Sequence, residues 1–403
     1  VKVLFANKFF FMKGGAETVF FQEREMVRQA GHQVIEFAMQ HPNNQPSCQS
    51  DYFPTKVDYH ERHGLLDRLM IAARFIHHQE ACDRLAALIR AERPDIVHFH
   101  NIYHQLTPSI IRVAKELGCK TVLTAHDYKV ACPNYSMLVK GAAFDLKRIE
   151  GSWLKLFRYQ WQEGSWGKSL LLSAEAAWQR WHGNYECVDA FIAPSAFMGQ
   201  MIRTRLPRAR IEVILNGVDV EQSRESGEDQ GYFLFLGRLM TEKGVETLAR
   251  AHQQLQHRAG LKIVGDGPLL EHLRSHYPDA ELLGFKQGEA LLELLRHARA
   301  VVVPSEWYEN CSMSVLEAMA YGKPVIGARI GGIPEQIRDG QDGLLFEPGN
   351  ADALARCMDR LTADPALTVQ MGQSARQRLI AHYSLASHQN ALLALYQSLL
   401  EGQ

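Results

Sequence analysis

Residues 301–335 read VVVPSEWYENCSMSVLEAMAYGKPVIGARIGGIPE, and this stretch decides the fold. The apolar run Val301–Val303, closed by Pro304 and Ser305, has the character of a buried strand. A polar loop follows, carrying Glu306, Glu309 and Asn310. From Ser314 the run Ser-Val-Leu-Glu-Ala-Met-Ala predicts a helix, stopped at Gly322 with Pro324 just beyond. Val325 and Ile326 open the next strand, and Gly331-Gly332 makes another loop before Pro334 and Glu335. Strand, loop, helix, strand and loop in this order belong to an α/β protein, which binds ligands outside the carboxyl ends of its strands.

Two carboxylates mark the stretch. Seven residues separate Glu309, on the loop, from Glu317, in the first turns of the helix. A carboxylate accepts hydrogen bonds from vicinal hydroxyls such as a sugar or ribose presents, each worth about 1.5–3 kcal/mol. Each acid also has a plainer reading. Ser314-x-x-Glu317 fits a capping box, and Glu309 fits a solvated loop acid.

Outward from this stretch lie further motifs: Gly14-Gly15 before a helix, His126-Asp127, Asn216-Gly217-Val218-Asp219, Gly237-Arg238 with Lys243-Gly244, and Gly265-Asp266-Gly267. Together with E-x(7)-E and Gly331-Gly332, in this order and over nearly the whole chain, they resemble the retaining glycosyltransferases of family 4. That family has the GT-B fold, so the resemblance implies two Rossmann-like α/β domains facing each other across a cleft. Residues 1–194 would form an acceptor-side domain and 195–382 a nucleotide-sugar-binding domain. A last helix, 383–403, would pack back onto the first.

Composition agrees with two domains. A chain of 403 residues exceeds one typical core. A net charge of −1 speaks against a nucleic-acid partner, which calls for a basic excess. Seven cysteines, odd in number and without C-x-x-C, indicate neither a disulfide framework nor a zinc ribbon, so a reducing, cytoplasmic home is expected. The opening VKVLFANKFFFMKGG lacks the apolar core and cleavage site of a signal peptide. No apolar run reaches the length of a membrane span, so the expectation is a soluble protein or one bound peripherally at the inner membrane face.

Taken in order, Val1–Ala6 reads as a strand, Asn7–Gly15 as a loop, and Ala16 to about Ala30 as a helix ended by Gly31. Val34–Met39 follows as a strand. This βαβ opening lacks G-x-G-x-x-G, which demotes a dinucleotide site. Gly14 and Gly15 either let the backbone approach a phosphate at a helix start or form a simple turn. Residues 41–63 are polar loop, 65–92 one helix by period, and Asp95–His100, Lys120–Ala125 and Asp189–Ser195 strands. His98 and His100 share a strand face and, with His104, invite a metal reading. No carboxylate or cysteine accompanies them at ligand spacing, so strand-end packing or acceptor contacts are favoured.

Trp153, Trp161, Trp166, Trp178 and Trp181 are interleaved with Lys155, Arg158, Lys168 and Arg180. The segment is either an interfacial helix pair resting on lipid or a helical insertion packed on its domain. After Cys132-Pro133 no cysteine occurs until Cys187, so no cysteine-rich patch is expected there. In the second half, strands are read at 212–215, 232–236, 262–264, 280–283, 301–303, 325–327 and 343–346, with a charged loop at 222–231. Residues 351–400 read as almost wholly helical.

Arg238 and Lys243 flank a strand-to-helix turn, where two cations and a helix N-terminus can converge on a diphosphate. No D-x-D triplet exists, so no metal and no cofactor is expected, and fixed cations would neutralise the leaving group. The resemblance implies a nucleotide-sugar co-substrate, a UDP- or GDP-sugar. It gives the ribose to Glu317, the donor-sugar hydroxyls to Glu309, and the base to main-chain groups at Gly284-Phe285. Asn310, Cys311, Ser312 and Leu316 join Gly14, Gly15 and Gly265 as donor-binding candidates, while His126 faces the donor sugar from the first domain.

The catalytic candidates are thus His126, Glu309, Arg238 and Lys243. Asp127 orients the acceptor hydroxyl or caps the next turn. In the resembled family the departing phosphate takes the acceptor's proton, so no enzymic nucleophile is needed. The implied function is transfer, with retention, to a glycan or lipid-linked acceptor in cell-envelope or exopolysaccharide synthesis. The alternative is a non-catalytic sugar-nucleotide-binding partner in a polysaccharide assembly complex.

Overall fold

Val3, Leu4, Phe5 and Ala6 are all fully buried, as a strand covered on both faces requires. In the computed structural model, which describes residues 1–57, 65–150, 152–220 and 228–402, they belong to β1 (Lys2–Ala6). Parts of the loops expected at 41–63 and 222–231 lie outside the described residues, as does the Trp153 side chain.

β1 pairs in parallel with β2 (Gln33–Phe37) and β3 (Ile96–Phe99). With β4 (Lys120–Thr124), β5 (Ala190–Ala193) and β6 (Ile211–Val213) they form a six-stranded sheet in the order β2-β1-β3-β4-β5-β6. Parallel neighbours need crossovers, here made by α1 (Gly15–Gln29), α2 (Leu65–Ile76), α3 (Gln79–Glu92), α4 (Ser109–Glu116), α5 (Trp166–Trp181) and α6 (Ala196–Arg205). The single helix expected over 65–92 is two. At the break His78 is extended, its backbone N–H donating to Thr107 Oγ1 at 3.3 Å and its Nδ1 lying 2.8 Å from the Gln105 carbonyl.

The second sheet is also parallel and six-stranded. It contains β7 (Tyr232–Leu236), β8 (Gly260–Val264), β9 (Ala280–Gly284), β10 (Ala300–Val303), β11 (Val325–Ala328) and β12 (Gly343–Phe346), in the order β9-β8-β7-β10-β11-β12. Its helices are α7 (Val245–Gln253), α8 (Leu270–His276), α9 (Glu289–His297), α10 (Met313–Ala320), α11 (Ile333–Gln336), α12 (Ala351–Ala363) and α13 (Pro365–His382), and α14 (Leu385–Leu400) follows them. Alternate residues of β7 serve different cores: Phe233 and Phe235 pack with Leu248 and Leu354, and Tyr232 and Leu234 with Val315 and Leu379.

The chain divides into two compact units, residues 1–140, 144–214 and 389–403 in one, and 141–143 with 215–388 in the other. The first therefore runs past the expected boundary at 194. The strand read at 212–215 belongs to it, because β6 pairs with β5 (Phe191 opposite Ile211). From Gln389 onward α14 belongs to the first unit, where Leu392, Leu395, Tyr396 and Leu399 share a core with Val3, Phe5 and Phe20.

Candidate functional site

In the second unit the strand order reverses between β7 and β10, the position at which open parallel sheets bind ligands. The loop after β7 carries Arg238 and Lys243, and the loop after β10 carries Glu309. Lys243 closes a short turn, Thr241–Lys243, just ahead of α7. Its ammonium donates to Glu309 Oε1 at 2.6 Å, and the same oxygen accepts from Ser305 Oγ at 2.8 Å and Trp307 Nε1 at 2.9 Å. The ammonium also lies 4.9 Å from the Trp307 ring centre.

Glu309 is therefore no solvated loop acid; it is 9% exposed. Burial pushes its pKa up, but the Lys243 charge and the bonds from Lys243, Trp307 and Ser305 outweigh that and hold it below the usual carboxylate value. The glycine pair helps to seat it. Gly332 N–H donates to the Glu309 carbonyl at 2.7 Å, and a Cβ on Gly331, at φ +60°, would stand 2.3 Å from that oxygen.

Glu317 sits in a different field. The capping box is not formed: Ser312 precedes α10 without a side-chain cap, and the Ser314 hydroxyl donates to the Leu236 carbonyl at 3.2 Å. The Ser312 N–H is satisfied by Gln336 Oε1 at 2.9 Å instead. With burial unopposed, the Glu317 carboxyl is pushed up to about 7.

Arg238 is exposed at the β7 end. Phe285, directly after β9, is 72% exposed. Gly265 ties three loops together: its N–H donates to the Gly284 carbonyl at 2.9 Å, and at φ +143° a Cβ would lie 1.8 Å from the Gly237 carbonyl. Its need for glycine is thus steric. Asn310 is half-buried, Ser312 buried, and the Leu316 side chain belongs wholly to the core beneath the site. Burial drives the Cys311 thiol up to about 12, so it stays protonated.

In the first unit, His126 and Asp127 follow β4. His126 Nε2 lies 2.9 Å from His100 Nδ1. His100 Nε2 and His98 Nδ1 lie 3.5 and 3.4 Å from Glu23 Oε2, so a carboxylate does accompany the histidines, contrary to the sequence reading. It comes from α1, whose buried positions 19, 20, 23, 26 and 27 form one helical face. The ligand atoms of Glu23, His98 and His100 fall within 4.8 Å of one another, a spacing that could hold a metal ion. Both His98 nitrogens already meet hydroxyls, Tyr396 at 2.6 Å and Thr124 at 2.7 Å. His104 instead stacks on Phe75, ring centres 4.0 Å apart.

Burial lowers the His126 pKa to about 4 despite the pull of Glu23, leaving a neutral imidazole. Asp127 Oδ1 accepts from the Lys129 N–H at 3.0 Å, which is the capping role. Burial raises its pKa to about 6 against that bond and the charges of Lys8 and Lys129. Gly14 precedes α1 in an extended conformation and Gly15 is its first residue; the first turn also holds the buried Glu17, which opposes an anion there.

Residues 13–222 match the family described as Glycosyltransferase Family 4, and residues 219–378 match that described as Glycosyl transferases group 1. An uncharacterized glycosyltransferase of Methanocaldococcus jannaschii is 30% identical over 218 residues, covering 48% of this chain and 56% of that protein. The chain spans about half the length of the curated relatives it matches. Among solved structures, a sucrose-phosphate synthase from Thermosynechococcus elongatus aligns over 100% of both chains with a TM-score of 0.73 at 20% identity. Anabaena HepE in complex with UDP aligns over 99% of this chain and 100% of that one, with a TM-score of 0.68 at 17% identity. At these identities the likeness shows the fold, which is GT-B.

Proposed function

The chain belongs to glycosyltransferase family 4, and from that membership we propose that it moves a sugar from a UDP- or GDP-sugar to a glycan or lipid-linked acceptor with retention of configuration. The work proposed for it is cell-envelope or exopolysaccharide synthesis, on the cytoplasmic side. Seven free cysteines suit a reducing compartment. The observation that carries the reading is the Lys243–Glu309 pair at the switch point of the second sheet, with Arg238 exposed just after β7.

On this reading Arg238 and Lys243 take up the charge of the departing diphosphate, an electrostatic contribution available without reorganisation. Glu309 receives the donor-sugar hydroxyls and holds the Lys243 ammonium in place. The phosphate itself accepts the acceptor's proton, consistent with a loop whose thiol, Cys311, is held protonated. Gly14, Gly15 and Asn310 offer main-chain groups to the donor, Phe285 a main-chain group to the base, and Ser312 is held by Gln336. His126 acts as a neutral hydrogen-bonding partner. If Glu23 accepts from His100 Nε2–H, His100 Nδ1 accepts from His126 Nε2–H, and His126 Nδ1 is left to accept from a sugar hydroxyl. The non-catalytic alternative has less support, because Arg238, Lys243 and Glu309 are all present.

Glu317 must be ionised to accept from both ribose hydroxyls, yet in the free protein its pKa is about 7. Nucleotide affinity is therefore highest above pH 7 and falls by up to about tenfold per pH unit below it, with a proton released on binding. Calorimetry of UDP and GDP binding between pH 6 and 8 reads this directly, and Glu317→Gln abolishes the dependence. A pH-independent affinity in the native protein would remove Glu317 from the ribose site, and no binding of either nucleotide would remove the donor site altogether.

Fixed cations also make a metal unnecessary for transfer. Turnover stays within about twofold after EDTA treatment. Loss of activity restored by magnesium or manganese would contradict this and turn attention to Glu23, His98 and His100.

A further inference from the structure

α5 is built inside out. Its buried residues include Ser169, Ser173, Glu175 and Gln179, while Trp166, Leu170 and Trp181 stand 64%, 59% and 82% exposed. The rotation of the helix is fixed by the polar set. Ser169 and Ser173 hydroxyls donate to the Ser165 and Leu156 carbonyls at 2.7 and 3.1 Å. Glu175 accepts from the buried Lys129 ammonium at 2.6 Å, and Gln179 donates to the Ile76 carbonyl at 2.7 Å. Breaking any of these would strand a buried polar group, so the helix cannot turn its apolar residues inward.

At about 100° per residue, Trp166, Leu170, Ala174, Ala177 and Trp181 fall within one stripe. Phe157, Ala174, Ala177, Trp178 and Trp181 line a shallow apolar surface on which Arg180 is the charged residue. Leu154 on the preceding turn is 59% exposed, and α2, which packs on α5, exposes Met70. Arg180 on this surface is exposed, as is Arg158 at the end of the preceding turn, whereas Lys168 falls on the opposite side of α5. Trp161, by contrast, is buried and donates to the Leu156 carbonyl at 2.8 Å, and the half-buried Trp178 packs on His77 and His182, so the packing reading of the tryptophan segment holds for these two rings.

We propose that the outward face of α5 seats on an anionic lipid surface. Exposed indole rings settle at the headgroup level, and cations bordering them meet lipid phosphates. A second copy of the chain would cover the rings but set Arg158 and Arg180 against their own kind. No described helix is long and apolar enough to cross a membrane, so the contact is one of lying on the surface. The inference deepens the proposed function by bringing a lipid-linked acceptor to the first unit. It rests on α5 itself and can be tested without transfer.

The test is co-sedimentation with vesicles of equal parts phosphatidylglycerol and phosphatidylcholine, alongside vesicles of phosphatidylcholine only. Binding is expected to the anionic vesicles and to weaken with added salt. Combined Arg158→Gln and Arg180→Gln lowers partitioning roughly 25-fold, about fivefold for each cation. Trp166→Ser with Trp181→Ser lowers it by about tenfold or more while leaving UDP and GDP binding unchanged. No binding to anionic vesicles at low salt overturns the proposal, as does binding that ignores both sets of changes. A native dimer abolished by the tryptophan changes, without vesicle binding, would give the face to a second copy. Failure of nucleotide binding with intact vesicle binding would count against the donor site alone.

Discussion

Lys243→Ala lowers turnover by about 10²-fold or more, the largest effect expected of a single change. The substitution removes a cation that faces the departing diphosphate. It also takes the ammonium from Glu309 Oε1 and leaves that oxygen the neutral donors Ser305 and Trp307. Because the Lys243 side chain is 26% exposed and that of Glu309 11%, the folding cost stays below that of a fully buried pair, about 1–3 kcal/mol. The sign of its pH dependence is informative. With lysine present, Glu309 has a lowered pKa, so its contribution is held above the unfolded value and lost as pH falls. Without lysine that lowering loses its two largest causes, so the variant's stability falls less steeply in acid than the native protein's. Parallel measurement of kcat and thermal midpoint against pH checks both halves. A near-native kcat would overturn the clamp.

Glu309→Ala reduces turnover by a similar factor, about 10²-fold, but leaves affinity for free UDP or GDP nearly unchanged. The donor-sugar hydroxyls are absent from the free nucleotide, so their partner is not needed to bind it. Glu317→Ala does the opposite, weakening nucleotide binding by about tenfold or more, since donor and product share the ribose. Combining Lys243→Ala with Glu309→Ala costs much less than the sum of the two, because the pair acts as one unit. Equal loss of nucleotide affinity in both glutamate variants would reduce these acids to supports of the loop and of α10.

Much of this was readable in the chain itself, for a physical reason. Val301–Val303 and Tyr232–Leu236 are covered on both faces, so each strand is written as an unbroken apolar run with turn residues after it. What escaped is what depends on partners distant in sequence. His98 and Tyr396 meet across 298 residues, and Glu23 reaches the same cluster from α1; only the helical spacing of its buried neighbours hinted at that. Ser305 and Trp307 were invisible as partners of Glu309, because loop geometry sets their convergence rather than period. The Ser314-x-x-Glu317 spacing suggested a cap that the Leu236 carbonyl pre-empts. α5 shows the limit of pattern reading most clearly: apolar residues at helical spacing ordinarily face a core, and here Lys129 and Ile76 claim the polar side first.

Release of nucleotide from a panel of UDP- and GDP-sugars, measured with and without a cell-envelope acceptor extract, tests sugar transfer most directly. One donor should give acceptor-dependent release of UDP or GDP matched mole for mole by sugar bound to the extract. Nucleotide binding without turnover of any donor in any extract would contradict transfer and leave the chain a sugar-nucleotide-binding partner.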